Sequence, residues 1–131
     1  MDEKLKWGII TIIIISVIAG GFFVLQNIQH AKAVKLQQFA TCLKDSGAVF
    51  YGAFWCSHCQ NQKAMFNTLF ESAVDKLPYI ECSTPDTNGQ LEICKTEKID
   101  TYPTWKFADG SVETGEVSLQ KLSQKTNCPL P

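Results

Sequence analysis

The stretch FYGAFWCSHCQ, residues 50–60, decides the fold of this chain. Its first half is apolar and rich in aromatic residues, a composition that indicates a buried strand, predicted over 48–54. Apolar residues then recur at intervals of three and four from Met65 to Val74, which is the period of a helix. The sequence therefore predicts a strand followed directly by a long helix that begins at the cysteines and reaches about Lys76.

The two cysteines of this stretch, Cys56 and Cys59, stand at the predicted start of the helix. Backbone N–H groups without partners and the helix dipole favour negative charge there, so Cys56 should ionise more readily than a free thiol. Cys59 follows one turn later on the same face, close enough to close a small disulfide ring. We therefore predict a redox switch in which Cys56 is the attacking or attacked sulfur and Cys59 resolves the intermediate.

Three other interpretations of the pair fit less well. A zinc site needs four ligands, usually two such pairs or one pair with histidines, and the other cysteines are single and widely spaced. Covalent haem attachment needs histidine directly after the second cysteine, where the chain has Gln60. A purely structural disulfide leaves both the preceding Trp55 and the helix start unexplained. We therefore expect no metal and no cofactor.

The first segment of the chain has the composition of a membrane span. Residues 7–25, WGIITIIIISVIAGGFFVL, carry no charge over 19 residues, about the length that crosses a hydrocarbon core of ~30 Å. The run is longer than the apolar core of a signal peptide, and a helix apolar on every side would be unusual inside so small a domain. We predict an anchor over 1–28, with cleavage as the alternative. A polar tether over 29–37, which either interrupts or continues the helix, then leads to one domain over 38–131.

The side of the membrane is predicted from the cysteines rather than from the lysines. Lysines flank the apolar run on both sides in nearly equal numbers, so the positive-inside rule does not decide. Six cysteines, an even number, suit an oxidising compartment. We therefore predict a single-pass protein of the cell membrane, in contact with lipid through its first helix, whose domain is extracytoplasmic. The net charge of −1 gives no reason to expect nucleic acid as a partner.

Apolar spacing and turn residues predict the other elements of the domain. They are a helix over 36–43 that ends near Gly47, a strand over 78–82, a helix over 90–98, a hairpin of 104–107 and 111–114 around Asp109-Gly110, and a last helix capped by Ser118. The order α-β-α-β-α-β-β-α predicts an α/β fold in which helices cover a central mixed sheet.

The motif Trp-Cys-x-x-Cys after an apolar strand, with Pro103 just before a hairpin, resembles the thioredoxin fold. The resemblance implies that the peptide bond before Pro103 is cis and that this proline faces the dithiol and shapes the substrate groove. Phe50 departs from the family pattern, since thioredoxins carry a buried carboxylate at that position. His58 resembles the histidine of protein disulfide isomerase, which implies that it stabilises the Cys56 thiolate and tunes the pair. A solvated helix residue is the alternative for His58.

Three stretches give a closer resemblance. FYGAFWCxHCQ (50–60), YIECS (79–83) and YPTW (102–105) are similar to the thioredoxin-like domain of bacterial vitamin K epoxide reductase homologues. In that family the domain passes electrons from exported protein thiols to a four-helix quinone reductase in the same chain. The resemblance implies exported protein thiols as substrates. It also implies a quinone-linked membrane oxidase, which would be a separate partner here because the 131 residues hold one apolar span.

The four other cysteines allow three pairings. Cys82 and Cys94 bracket a turn-rich segment and match a second cysteine pair of that family, and a structural bridge there would contribute about 3 kcal/mol by loop entropy. Cys42 and Cys128 lie near the two ends of the domain, which are often close together. Against this second bridge, the first and last helices of a thioredoxin fold usually cover opposite faces of the sheet. One of the pairs could instead be a second redox relay.

These features predict a membrane-anchored, extracytoplasmic thiol–disulfide oxidoreductase that oxidises exported protein thiols through Cys56 and Cys59. A reductase or isomerase, for example in cytochrome maturation, would use the same chemistry for another purpose. A redox-inactive adaptor or metal carrier is the alternative of a different class, in which the fold only binds a partner. Covalent capture of partner proteins by a Cys59→Ser variant distinguishes a catalyst from an adaptor.

Overall fold

A computed structural model describes residues 2–131 of the chain; Met1, at the start of the predicted anchor, lies outside the described residues. The elements are, in chain order, α1 (Glu3–Asp45), β1 (Val49–Gly52), α2 (Ser57–Ala64), a 3₁₀ turn (Val74–Lys76), β2 (Tyr79–Glu81), α3 (Glu92–Thr96), β3 (Thr104–Lys106), β4 (Val112–Thr114) and α4 (Leu119–Thr126). Apart from the short 3₁₀ turn, this is the predicted order of helices and strands.

The four strands form one sheet in the order β2-β1-β3-β4. β1 is parallel to β2 and antiparallel to β3, and β3 is antiparallel to β4, so the sheet is mixed. At its centre Phe50 stands opposite Tyr79 on one side and Trp105 on the other. The rings of Phe50 and Trp105 are fully buried and stack with their centroids 4.9 Å apart. The predicted α/β fold with a central mixed sheet is confirmed.

α1 is one continuous helix from Glu3 to Asp45, so the tether predicted over 29–37 continues the helix. Its apolar first part is exposed, whereas farther along one face is buried in the domain through Ala33, Leu36, Phe39, Ala40 and Leu43. Within residues 2–131 it is the one helix that is long and apolar enough to cross a membrane, by length and composition. The apolar segment and the first helix of the domain are therefore parts of the same helix.

The end of α1 lies where the sequence predicts, next to Gly47. This glycine has φ +82°, a left-handed conformation that glycine adopts without a steric penalty. The N–H groups of Gly47 and Ala48 donate to the carbonyl oxygens of Lys44 and Leu43, respectively, and thereby satisfy the last turn of the helix. The chain then turns directly into β1, which leads to the cysteine pair.

The helix predicted to reach Lys76 ends at Ala64, so this prediction is wrong beyond that residue. Thr68 accounts for part of the difference, because its hydroxyl and its N–H both bind the carbonyl oxygen of Glu71. The N–H of Glu71 donates in turn to the Thr68 hydroxyl oxygen. A threonine side chain competes in this way with helical hydrogen bonding and favours a turn.

The apolar residues that suggested a longer helix lie in two different environments. Phe66 is fully buried and stacks on Phe39 of α1 with ring centroids 6.0 Å apart. Leu69 and Phe70 are exposed at the tip of the loop. Their spacing in the sequence is helical, but they do not share one helix face.

The remaining elements are at the predicted places and are one to four residues shorter than predicted at their ends. Ser118 caps α4 as predicted, since its Oγ accepts a hydrogen bond of 3.2 Å from the N–H of Lys121. The predicted hairpin is formed by β3 and β4 on either side of Gly110, which has φ +81°.

Two disulfides close the domain. Cys82–Cys94 joins the end of β2 to α3, and Cys42–Cys128 joins α1 to the segment beyond α4 across a sequence separation of 86. The argument that the first and last helices cover opposite faces does not prevent the second bridge. Cys128 lies past the end of α4, so the bridge forms from the chain that follows the helix rather than from the helix itself.

Candidate active site

The cysteine pair lies where β1 gives way to α2. Cys56 is the N-cap of α2, and its Sγ accepts a hydrogen bond of 3.3 Å from the backbone N–H of Cys59. Both thiols are free. Cys56 is 8% exposed and Cys59 is fully buried, so Cys56, at the positive end of a helix, is the less buried of the two thiols.

The loop before β3 faces Cys56. The peptide bond between Tyr102 and Pro103 is cis, and the thiol of Cys56 donates to the Tyr102 carbonyl oxygen at 3.7 Å. Trp55 is half exposed beside it; its indole N–H donates to Ser83 Oγ at 2.7 Å, and its ring meets that of Tyr102 edge-on. The sequence-predicted residues Trp55, Cys56 and Pro103 are thus brought together around one accessible sulfur.

His58 contacts a carboxylate rather than the dithiol. Its Nδ1 lies 2.7 Å from Oε1 of Glu116, and the Asn61 side-chain amide donates to the same oxygen at 3.0 Å. Hydrogen bonds from Asn61 and His58 lower the pKa of the Glu116 carboxyl, which is therefore ionised at neutral pH. Glu116 stands 58 residues away in the chain, and no local pattern in the sequence indicates this contact.

The other side of the dithiol is enclosed by Gly52 and Tyr79. A methyl group added at Gly52 would lie 2.9 Å from Cys59 Sγ and 3.0 Å from Tyr79 Cε2, distances that side-chain carbons do not tolerate. Glycine therefore allows the buried sulfur and the tyrosine ring to approach the same point of β1. Gly52 lies seven residues before Cys59 in the sequence, but this spacing alone does not reveal the close approach.

A lysine, a tyrosine and a glutamate form a cluster next to Cys59. Lys63, four residues after Cys59 and on the same side of α2, has its Nζ 3.4 Å from the centroid of the Tyr79 ring. The Tyr79 hydroxyl donates to Oε2 of Glu81 at 2.7 Å. The other Glu81 oxygen accepts from the backbone N–H groups of Phe54 and Ser83, at 3.2 and 2.9 Å. The sequence did not predict this cluster, although Tyr79 and Glu81, two residues apart on β2, lie on the same face of the strand.

The charges of this cluster act on the buried thiol. Burial raises the pKa of Cys59, and its hydrogen bond with Cys56 raises that pKa further, whereas the Lys63 ammonium opposes both effects. Burial lowers the pKa of Lys63, and Glu81 counteracts this effect. Burial and the hydrogen bond to Glu81 raise the pKa of Tyr79. In the reduced protein Cys59 is therefore a neutral thiol at neutral pH, with one cation close enough to favour its thiolate.

Phe50 occupies the position at which thioredoxins carry a buried carboxylate. Its ring is stacked on Trp105 and meets Tyr79 edge-on at 5.1 Å, so an aromatic cluster fills that space. Glu81, on the neighbouring strand, is instead the carboxylate on this side of the sheet. Within residues 2–131, no group of three or more His, Cys, Asp or Glu side chains is arranged to hold a metal ion.

A free dithiol at a helix N-terminus, with one cysteine slightly exposed and the other fully buried, is the arrangement of a thiol–disulfide exchange site. The thioredoxin family model matches residues 30–126, and the chain belongs to the thioredoxin family. Over 92 residues the chain is 40% identical to "Thiol-disulfide oxidoreductase LTO1" of Arabidopsis thaliana. This match covers 67% of the chain and 23% of that relative, so the chain spans less than a quarter of its relative's length.

Proposed function

We propose that the chain is a membrane-anchored thiol–disulfide oxidoreductase in which Cys56 and Cys59 are the redox pair. The observation that carries this proposal is the asymmetry of the dithiol: Cys56 is the N-cap of α2 and is slightly exposed, whereas Cys59, one turn later, is fully buried. Membership of the thioredoxin family supports it, and so does the similarity to a thiol-disulfide oxidoreductase of Arabidopsis thaliana.

The reaction follows from that asymmetry. In the oxidised protein a substrate thiolate attacks Cys56 Sγ; a sulfur–sulfur bond forms between substrate and Cys56, and the Cys56–Cys59 bond breaks. Cys59 leaves with the electron pair and takes up a proton. A second substrate thiolate then attacks the substrate sulfur of the mixed disulfide, which releases Cys56 as a thiolate and leaves a disulfide in the substrate. Two electrons now reside on the dithiol, and a disulfide or quinone-linked oxidant must remove them.

Substrate binding is assigned to the surface around Cys56. Trp55 and the loop at Pro103 border the Cys56 sulfur, and the backbone carbonyl oxygen of Tyr102 in this loop lies 3.7 Å from it. An extended substrate segment can lie along this loop with its cysteine against Cys56. His58, which contacts Glu116, lies at the edge of the same surface and influences the charge of that surface.

The proposed direction of electron flow is oxidation of substrate thiols. The start of α2 favours negative charge through its dipole and its N–H groups, and only the reduced dithiol can carry such charge, so the helix favours reduction of the disulfide and makes that disulfide a better oxidant. A reductase must also deprotonate Cys59 to complete its cycle. Burial raises the pKa of Cys59, and Phe50 provides no carboxylate to accept the proton.

The proposed location and partners rest on three features. The exposed apolar part of α1 serves as a single-pass anchor, and the domain over 38–131 is extracytoplasmic. The two closed disulfides support an oxidising compartment. Exported protein thiols as substrates and a quinone-linked membrane oxidase as partner are proposed from the resemblance of the sequence motifs alone.

Cys82–Cys94 is proposed to be structural rather than a second redox relay. Both of its sulfur-bearing residues are fully buried, so a partner thiolate cannot reach the bridge without local opening of the domain. Mass spectrometry after mild reduction should therefore find two free thiols, at Cys56 and Cys59. Four free thiols would indicate a relay instead.

The decisive experiment traps the intermediate. Cys59→Ser keeps Cys56 but removes the resolving thiol, so it should accumulate mixed disulfides with partner proteins, whereas Cys56→Ser, the matched control, should accumulate none. If neither variant captures a partner protein, the redox-inactive adaptor is favoured. Equilibration of the wild type with glutathione then fixes the direction. A potential near about −180 mV, that of protein disulfide isomerase, supports the oxidase, and one at or below about −270 mV, that of thioredoxin, supports the reductase.

A further inference from the structure

The loop between α2 and the 3₁₀ turn carries two exposed apolar side chains. Residues 67–72, which we call the 67–72 loop, are closed at their base by an antiparallel bridge between Asn67 and Ser72 and by a side-chain hydrogen bond of 2.6 Å between them. At the tip, Leu69 is 69% exposed and Phe70 is 47% exposed. A tight, hydrogen-bonded loop therefore presents two large apolar side chains outside the core of the domain.

The same loop packs against α1 before that helix enters the domain. The Phe70 ring meets the ring of Phe22 edge-on with centroids 6.0 Å apart. The backbone N–H of Leu69 donates to the side-chain oxygen of Gln29 at 3.3 Å, and Glu71 Oε1 lies 2.7 Å from Nδ1 of His30. One aromatic contact, one hydrogen bond and one ionisable pair thus fix the height of the loop along α1.

The contacts on α1 follow its change from apolar to polar residues. Phe22 belongs to the charge-free run and lies three residues before its end at Leu25, about 4.5 Å inside that end at 1.5 Å per residue. His30 lies five residues beyond Leu25, about 7.5 Å outside it. The loop matches this gradient, because Phe70 contacts the apolar level and Glu71 contacts the polar level. Two segments 41 residues apart thus change polarity at the same height.

We propose that the 67–72 loop contacts the lipid bilayer and places Leu69 and Phe70 at the boundary between acyl chains and headgroups. This inference rests on the proposed function, in which α1 spans that bilayer. At the depth of Phe22 the surroundings of α1 are lipid, so acyl chains cover the two side chains without any further protein. Aromatic and aliphatic side chains at this boundary, next to charged residues on the aqueous side, are typical of membrane-contacting segments.

The loop then gives the domain a second point of attachment to the membrane. α1 alone would fix one axis, about which the domain could rotate or tilt with the helix. Leu69 and Phe70 add a contact beside that axis, so one side of the domain faces the bilayer. Because the loop follows α2 directly, this contact also limits the orientation of the helix that carries the dithiol at its other end.

Photo-crosslinking of the full chain in lipid nanodiscs tests the proposal. The photoreactive residue p-benzoylphenylalanine replaces Leu69, Ile14 or Ile93 in three separate variants, all at exposed apolar positions, so the fold should be preserved. Ile14 lies inside the charge-free run and is the positive control, and Ile93, on α3 and 48% exposed, is the matched control for an exposed residue of the domain. We expect lipid adducts by mass spectrometry at positions 14 and 69 and none at position 93.

The other outcomes overturn specific statements. Lipid adducts at position 14 but none at position 69, or protein adducts alone at position 69, would overturn the loop contact and leave the anchor intact. No lipid adduct at position 14 would overturn the anchor and the loop contact together. Equal lipid adducts at positions 69 and 93 would show that the whole domain meets lipid without preference, which overturns a specific role for the loop.

Discussion

The two cysteines of one dithiol lie in opposite surroundings, although two residues separate them. Around Cys56 the surface is open and lined by Trp55 and the cis-proline loop. Around Cys59 it is closed by Gly52 and by the cluster of Tyr79, Lys63 and Glu81. The open side can bind a partner and carries the sulfur that is attacked. The closed side determines the protonation of Cys59, which is the leaving group when a substrate thiolate attacks and which resolves the mixed disulfide in the reverse direction. Changes on the two sides should consequently affect different steps.

Gly52→Ala should have the largest effect, because it removes the space on the closed side. The added methyl would lie 2.9 Å from Cys59 Sγ, and neither the sulfur nor the Tyr79 ring can move away without repacking. We expect a loss of about 2 kcal/mol in the free energy of unfolding, measured by urea denaturation of the full chain in detergent. Gly89→Ala is the matched control, since its methyl would meet only the Thr84 side chain at 3.2 Å. Equal losses in both variants would contradict the close packing at Cys59.

Raising the pH should destabilise the reduced protein through Cys59. The unfolded thiol loses its proton near pH 8.5, whereas burial raises the pKa of Cys59 in the folded protein. Above about pH 8.5 the unfolded state therefore binds fewer protons than the folded state, and stability falls as the pH rises. We expect a loss of about 1 kcal/mol between pH 8 and pH 9.5, measured by urea denaturation under reducing conditions.

Reduced Cys59→Ser is the control for this pH dependence. It keeps the other titrating groups and removes the buried thiol, so the difference between the two proteins isolates the contribution of Cys59. Parallel curves for wild type and Cys59→Ser would show that the closed side does not hold this thiol in its neutral form.

When the reduced protein reacts with a disulfide, Lys63→Met should slow the resolution of the mixed disulfide by Cys59 and leave the formation of that mixed disulfide unchanged. The Lys63 ammonium favours the Cys59 thiolate, which must form before Cys59 can resolve a mixed disulfide. Removing one nearby positive charge should cost about 1 kcal/mol, or roughly a fivefold slower resolution at neutral pH. A time course of quenched reactions with a model disulfide measures the formation and the decay of the mixed disulfide separately.

The exposed Lys95 of α3 provides the matched variant for that experiment. Lys95→Met removes the same charge far along the chain from the dithiol and should change neither rate. A slower formation of the mixed disulfide in Lys63→Met would show that the lysine acts on Cys56 instead, and the proposed separation of the two sides would be wrong.

Glu116→Gln should give the smallest effect, on the open side. It removes a negative charge next to His58 while keeping a group that can hold the ring. The lost negative charge should favour the reduced dithiol and make the disulfide slightly more oxidising, and solvent around the exposed pair should keep this effect small. Equilibration with glutathione measures the potential. A shift towards more reducing values would show that Glu116 acts by orienting His58 rather than through its charge.

The residues that could be predicted from sequence are those with local signals. Strand and helix periodicity around residues 50–60 predicted the position of the dithiol, and Gly47 and Ser118 predicted helix ends through their own backbone preferences. The cis bond at Pro103 could not be derived from spacing, since most X–Pro bonds are trans, and came from the resemblance to thioredoxins.

The parts that could not be predicted depend on contacts between distant segments. α2 ends at Ala64 because hydrogen bonds of Thr68 favour a loop, although the apolar spacing continues to Val74. Glu116 meets His58 only after the sheet has formed. In the sequence Lys63 resembles an ordinary surface lysine, and only the folded chain brings its ammonium over the Tyr79 ring. Spacing within one element does not contain this information.

The bridge between Cys42 and Cys128 also determines whether cleavage by a protease separates the fragments of the domain. Any single cut between these residues leaves one fragment with α1 and Cys42 and the other with Cys128, and the disulfide keeps the two fragments joined. A nicked domain therefore remains attached to the proposed anchor until the bridge itself is reduced. After a cut between Cys42 and Cys128, release of the C-terminal fragment therefore also requires a reductant, and in oxidising surroundings that fragment stays attached to the proposed anchor.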